Sequence, residues 1–150
     1  MPGGPLTWMA VLLPEGTDLL GGLELGGIPL VTMLSSITGI PALFVRKEAK
    51  TYGTRRLVEG AAFSGRTVLL VEDVISTGGA VRNAAGALRA GGATVEIVVC
   101  AIDRSEPGSG PLAGDGIEIR AVLTRAQMGD VRSTGVTRKG PGRGPGPLQR

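Results

Sequence analysis

Val68-Leu69-Leu70-Val71-Glu72-Asp73-Val74-Ile75-Ser76-Thr77-Gly78-Gly79-Ala80-Val81 decides how this chain is read. A β-branched, apolar run ends in two adjacent carboxylates. A short loop of hydroxyls and glycines follows, and a helix opens after it. The run suits a buried strand that holds the loop rigidly. Gly78 and Gly79 let backbone N–H groups turn toward an anion, and the helix N-terminus adds a favourable dipole. Glu72 and Asp73 can accept hydrogen bonds from sugar hydroxyls, so the pattern suits a sugar phosphate. It is not a P-loop, since no Gly-Lys-Ser/Thr ending is present, and it lacks the Gly-x-Gly-x-x-Gly spacing of dinucleotide sites. The plain alternative is an ordinary strand–turn–helix with surface acids.

Composition fits a fold built around such a strand. A chain of 150 residues suits one domain with a single core. Hydrophobic residues make up 42% but aromatics only 3%, so the core must rest on Val, Leu, Ile and Ala. That matches a parallel sheet buried on both faces. The formal charge of +3, from 16 basic and 13 acidic residues, is mild and lies largely near the C-terminus. No nucleic-acid partner is expected from it. The single cysteine, Cys100, sits in the apolar run Ile97-Val98-Val99-Cys100-Ala101-Ile102. It suits a buried structural thiol in a reducing, cytoplasmic setting. Histidine is absent, which removes Ser-His triads and His-based zinc sites. No apolar run is long enough to span a membrane, and Met1 to Leu13 lacks the basic start of a signal peptide.

Around the motif the chain alternates between strand and helix patterns. Thr17 to Leu23 reads as a first strand and Glu24-Leu25-Gly26-Gly27 as a turn. Pro29 then suits the first turn of a helix, with Leu30, Met33, Leu34 and Ile37 at helical spacing and Gly39 as its stop. Ala42 to Val45 is a second strand. Arg46 to Gly65 is basic and poor in apolar residues, and reads as an exposed flap or long loop. Val68 to Glu72 is the motif strand. The helix after it places Val81, Ala84, Ala85 and Leu88 on one face and ends at Gly91-Gly92. Thr94 to Ile102 is a strand, Pro107 to Gly114 a loop, and Ile117 to Leu123 a last strand whose alternating polarity places it near an edge. Gly135 to Arg150 is Gly, Pro and Arg with almost no hydrophobics, so disorder is expected there. The domain is thus expected at 17–130, after an extension at 1–16 and before a tail at 131–150.

Strands alternating with helices imply an α/β parallel sheet, whose ligands bind beyond the carboxyl ends of the strands. Glu24 to Gly27, Arg46-Lys47, Glu72 to Val81 and Asp103-Arg104 all follow expected strands. Four polar elements therefore converge on one rim.

The motif resembles the phosphoribosyl-pyrophosphate (PRPP) binding motif of type I phosphoribosyltransferases. Three more stretches resemble the orotate phosphoribosyltransferases within that group. They are Glu24-Leu25-Gly26-Gly27-Ile28-Pro29, Phe44-Val45-Arg46-Lys47-Glu48-Ala49-Lys50-Thr51-Tyr52-Gly53 and Ile102-Asp103-Arg104-Ser105-Glu106. The resemblance runs from about Asp18 to Thr124. It implies a type I phosphoribosyltransferase-like parallel sheet flanked by helices and a mobile flap, to which composition adds the disordered C-terminal tail. The implied reaction transfers ribose 5-phosphate from PRPP to N1 of orotate, with release of pyrophosphate.

The resemblance also implies roles for individual residues. PRPP would be held by Glu72, Asp73, Val74, Ile75, Ser76, Thr77, Gly78, Gly79 and Ala80, with the two acids on the ribose hydroxyls and the loop around the 5-phosphate. Glu24, Leu25, Gly26 and Gly27 would form a pyrophosphate loop. Arg46, Lys47 and Lys50 would meet the pyrophosphate, and Tyr52 stands where the family often has a histidine. Lys50, Glu72 and Asp73 carry the implied catalytic roles, and Ser76 and Arg104 would meet orotate. Mg²⁺, held mainly by PRPP, and a homodimer whose flap serves the neighbouring subunit belong to the same implication. The family's N-terminal hood, with an aromatic pair and a lysine, has no counterpart in Met1 to Glu15. A phosphoribosyltransferase for another base, a non-catalytic PRPP-binding regulator and a truncated inactive homologue stay open beside this reading.

Overall fold

The computed structural model describes residues 3–47 and 57–133. Its elements in order are α1 (Pro5–Val11), β1 (Leu19–Leu23), α2 (Gly27–Thr38), β2 (Ala42–Val45), β3 (Val58–Gly60), β4 (Val68–Ile75), α3 (Gly79–Ala90), β5 (Ile97–Asp103), β6 (Glu118–Thr124) and α4 (Arg125–Ser133). A 3₁₀ turn at Ala113–Asp115 lies in the loop before β6.

The six strands form one sheet in the order β3-β2-β1-β4-β5-β6. Every neighbouring pair is parallel except β2 with β3. The chain leaves β1 for β2 on one side, then returns to lay β4 on the other side and continues outward to β5. Crossovers of one hand taken in opposite directions put their helices on opposite faces. Accordingly Val31 and Leu34 of α2 pack with Leu20, Leu69 and Val71 on one face. Val81, Ala84, Ala85 and Leu88 of α3 pack with Leu19, Leu23, Val68 and Leu70 on the other. Burying both faces explains why β1 and the first five residues of β4 are continuously buried rather than alternating. The order also leaves a switch point between β1 and β4, where such sheets open a crevice.

Several expectations need correction. The sheet is mixed, not wholly parallel, because Val58-Glu59-Gly60 inside the expected flap forms the antiparallel edge strand β3. Its backbone pairs with β2, and Arg46 N–H donates to Leu57 O at 2.7 Å. Helix α2 buries Val31 and Leu34, whereas Met33 and Ile37 are exposed. Helix α2 is apolar on several sides, so spacing alone did not choose between two stripes. The motif strand runs on past Glu72 to Ile75, which places Asp73 as well inside β4. Helix α4 was not expected; Thr124 and Gln127 cap it reciprocally, with Thr124 N–H donating to Gln127 Oε1 at 2.8 Å and Gln127 N–H to Thr124 Oγ1 at 3.4 Å.

The start of the chain is also built into the fold. Pro5 opens α1 at a position where its missing N–H costs nothing. Met9 is fully buried with Leu20 and Val99, and Arg120 Nη1 donates to Leu12 O at 2.9 Å. As expected, β6 is an edge strand. Among the described residues no helix is long and apolar enough to cross a membrane. The expected disorder at 135–150 lies outside the described residues.

Candidate active site

Strands β2, β1, β4 and β5 stand side by side in the sheet, so the four polar segments expected at one rim are neighbours. The loop after β1 lies against the acids of β4. A Cβ built on Gly26 would overlap the Asp73 carboxylate, so only glycine lets that acid lie against the loop. Beyond it, α2 opens at Gly27. The loop after β2 is tied in by Lys47 N–H, which donates to Glu24 Oε2 at 2.8 Å.

Register places Glu72 opposite Cys100 in β5. Glu72 is 7% exposed and is the buried charged residue among the described residues. Burial, then its hydrogen-bonded neighbour Asp73, pushes its carboxyl up from 4.5 to about 8. Its Oε1 accepts Asp73 N–H at 3.0 Å, and Asp73 Oδ1 accepts Val74 N–H at 2.7 Å. The pair therefore offers one carboxyl that tends to keep its proton and one, half-buried, at the rim. Burial, with nearby Asp103, pushes the Cys100 thiol up to about 12, so it is a packing group and no nucleophile.

After Ile75 the chain turns through Ser76 and Thr77, both exposed, into Gly78. Gly78 is the N-cap of α3 at φ +81°, a left-handed conformation that favours glycine. The first amides of α3 are thus left for an anion next to the acids. At the end of β5, Arg104 N–H donates to Ile75 O at 2.7 Å, which brings Arg104 beside Ser76. Asp103 is half-buried, its Oδ1 accepting from Ser105 N–H at 2.9 Å and Ser105 Oγ at 2.6 Å.

Arg46 ion-pairs with Glu59 of β3 at 2.9 Å, a partner that no strand period at 58–60 announces. Glu24, Arg46, Lys47, Ala80 and Asn83 line a crevice of about 140 Å³ between the β1 and β2 loops and the start of α3. Asn83 was also missed; its place one turn after Gly79 was the signal available. Larger depressions of about 750 Å³, beside β3 and the end of α3, and about 550 Å³, beside the loop before β6, lie away from the acids. Lys50 and Tyr52 lie outside the described residues. The remaining candidates, Leu25, Val74, Ile75, Gly79 and Ala80, all fall on the segments at this rim, Leu25 being 79% exposed.

Comparison with known proteins places this arrangement among described ones. The sequence model of the phosphoribosyl transferase domain matches residues 11–115. An orotate phosphoribosyltransferase of Nocardioides sp. is 63% identical over 127 residues, covering 85% of this chain and 71% of the relative. The crystal structure of an orotate phosphoribosyltransferase from Aeropyrum pernix superposes with a TM-score of 0.76 at 28% identity, covering 87% of this chain and 75% of that one. That of Mycobacterium tuberculosis orotate phosphoribosyltransferase in complex with PRPP gives 0.65 at 30% identity, with 82% and 75% covered.

Proposed function

The chain belongs to the orotate phosphoribosyltransferases within the phosphoribosyl transferase family, and on that premise we propose that it transfers ribose 5-phosphate from PRPP to orotate. Pyrophosphate leaves and orotidine 5′-monophosphate forms, a step of pyrimidine synthesis. The observation that carries this is the contact of Gly26 with Asp73, which sets a pyrophosphate loop and a sugar-binding acid at one switch point.

In this reading the phosphate loop, Ser76 to Ala80, donates its amides to the 5-phosphate. Glu72 and Asp73 accept from the ribose 2′- and 3′-hydroxyls. As the C1–O bond to pyrophosphate stretches, the anomeric carbon gains positive charge and the leaving group negative charge. The acids lie near the electron-poor sugar, while Arg46, Lys47 and Lys50 stabilise the departing anion. Arg104, a planar fork of donors, suits the carboxylate or carbonyls of orotate, next to Ser76. The nitrogen of orotate is itself the attacking group, so no side-chain nucleophile is needed. Water must be excluded, or PRPP would be hydrolysed.

Among the described residues no cluster of three or more His, Cys, Asp or Glu is arranged to hold a metal ion. Asp73, a hard-oxygen donor at the rim, fits a Mg²⁺ ion that is bound mainly by PRPP itself. Such an ion would supply charge neutralisation on the leaving group. A homodimer in which the segment after Arg46 serves the partner's site, and a cytoplasmic location, belong to the same proposal.

The test is to mix the purified protein with PRPP, Mg²⁺ and orotate and follow the loss of orotate absorbance. Turnover with orotate supports the reading. Turnover with a purine alone transfers the chain to another base. PRPP binding without turnover on any base makes it a regulator or an inactive homologue.

A further inference from the structure

Behind the phosphate loop the segment 107–116 supplies a floor. Leu112 in it is fully buried. A Cβ on Gly78 would lie 2.7 Å from Leu112 Cδ2, so the leucine packs directly against the turn that begins α3. The segment's own backbone bonds are short in range. Gly108, Gly110 and Gly116 all have positive φ. Its hydrogen bonds Ala113 N–H to Gly110 O, Asp115 N–H to Leu112 O and Gly116 N–H to Ala113 O are local.

Arg82 reaches this segment from the first turn of α3. Its Nε donates to Asp115 Oδ2 at 2.9 Å and its Nη2 to Pro111 O at 3.0 Å. The guanidinium thus pins residues on both sides of Leu112. The backbone N–H of Arg82 donates to Gly78 O at 2.9 Å. Gly78, Arg82, Pro111, Asp115 and Leu112 therefore close a ring beneath the anion cup.

We infer that Arg82 is a positioning residue for the 5-phosphate loop, acting through Leu112 on Gly78. This rests on the functional reading above. The Arg82–Asp115 pair is 47% and 30% exposed, so it contributes little to global stability. Its effect is on geometry: a fork fixed at two acceptors keeps the leucine seated, and the leucine keeps the amides of residues 77–80 aimed at one point. A cup that is loose by a fraction of an ångström binds its phosphate poorly.

The test uses hydrogen exchange and PRPP titration on the intact chain and its Arg82→Ala and Asp115→Ala variants. The expected result is faster exchange at the amides of 77–81, unchanged exchange in β4, and PRPP affinity weakened roughly tenfold in Arg82→Ala and by less in Asp115→Ala, which leaves the bond to Pro111 O in place. The double variant should lose no more than Arg82→Ala alone. Arg82→Lys, which can reach one acceptor at a time, should fall between. Unchanged exchange at 77–81 overturns the inference whatever the affinity does. Faster exchange with wild-type PRPP affinity also overturns it. If the unaltered chain binds no PRPP, the functional reading fails instead, and the role given to Arg82 goes with it.

Discussion

The Asp73 carboxylate fills the space that a side chain on Gly26 would need. A loop and a strand whose residues lie 47 positions apart in the chain thereby meet at the switch point between β1 and β4. On the proposed function, the contact would make Gly26 a functional position and not only a turn residue. Gly26→Ala should displace Asp73 and weaken PRPP binding by about 10- to 100-fold. Overpacking there should cost only about 1–3 kcal/mol of stability, so the variant should stay folded. Calorimetric titration with PRPP beside urea unfolding checks both halves. Wild-type affinity in a folded Gly26→Ala variant would remove the contact from the site.

Glu72 predicts an inverted pH dependence. Its carboxyl sits near 4.5 when unfolded and about 8 when folded. The folded state therefore holds the proton more tightly. This contribution to stability is complete below pH 4.5 and is lost as pH rises through 8. Between pH 5 and 8.5 the loss should reach about 4 kcal/mol at most, at about 1.4 kcal/mol per pH unit of displacement. Glu72→Gln should remove that slope. Urea unfolding of both proteins across this range measures it, and parallel pH profiles would show that Glu72 titrates normally.

Arg46 is half-buried and ion-paired with Glu59. A partly exposed pair of this kind contributes about 0–1 kcal/mol, so stability alone gives it little purpose. Arg46→Ala should lower turnover at least roughly tenfold, through lost stabilisation of the leaving group. Glu59→Gln, which keeps the shape, should leave turnover within about threefold while shifting stability by less than about 1 kcal/mol. Equal losses of activity in the two variants would make Arg46 a structural residue.

Lys50 lies outside the described residues, so its prediction rests on the family resemblance. Lys50→Ala should cut kcat far more than PRPP affinity, because its contact is proposed to strengthen as charge develops on pyrophosphate. Equal losses in kcat and affinity would assign it to ground-state binding.

Much of this was legible from local pattern. The apolar run at 68–71, the glycines after Glu72-Asp73 and the Val81, Ala84, Ala85, Leu88 stripe each carry a period or a breaker of their own, and the structure builds β4 and α3 from them. Strand β3 was not legible, because three residues carry no period and Gly60 argues against a strand. It exists through its hydrogen bonds to β2. Helix α4 had a signal, the spacing Thr124-x-x-Gln127, which the acidic motif overshadowed. The contact of Gly26 with Asp73 and the floor of Leu112 beneath Gly78 are tertiary. No spacing in the sequence announces either.

The central claim is that the amides of residues 76–80 grip the phosphate of PRPP beside Glu72 and Asp73. A ¹H–¹⁵N spectrum of the labelled chain, titrated with PRPP and Mg²⁺, reads those amides one by one. The account predicts saturable shifts centred on Ser76, Thr77, Gly78, Gly79 and Ala80, with Gly26 moving in step. Shifts confined to other segments, or none there at saturating PRPP, would contradict it.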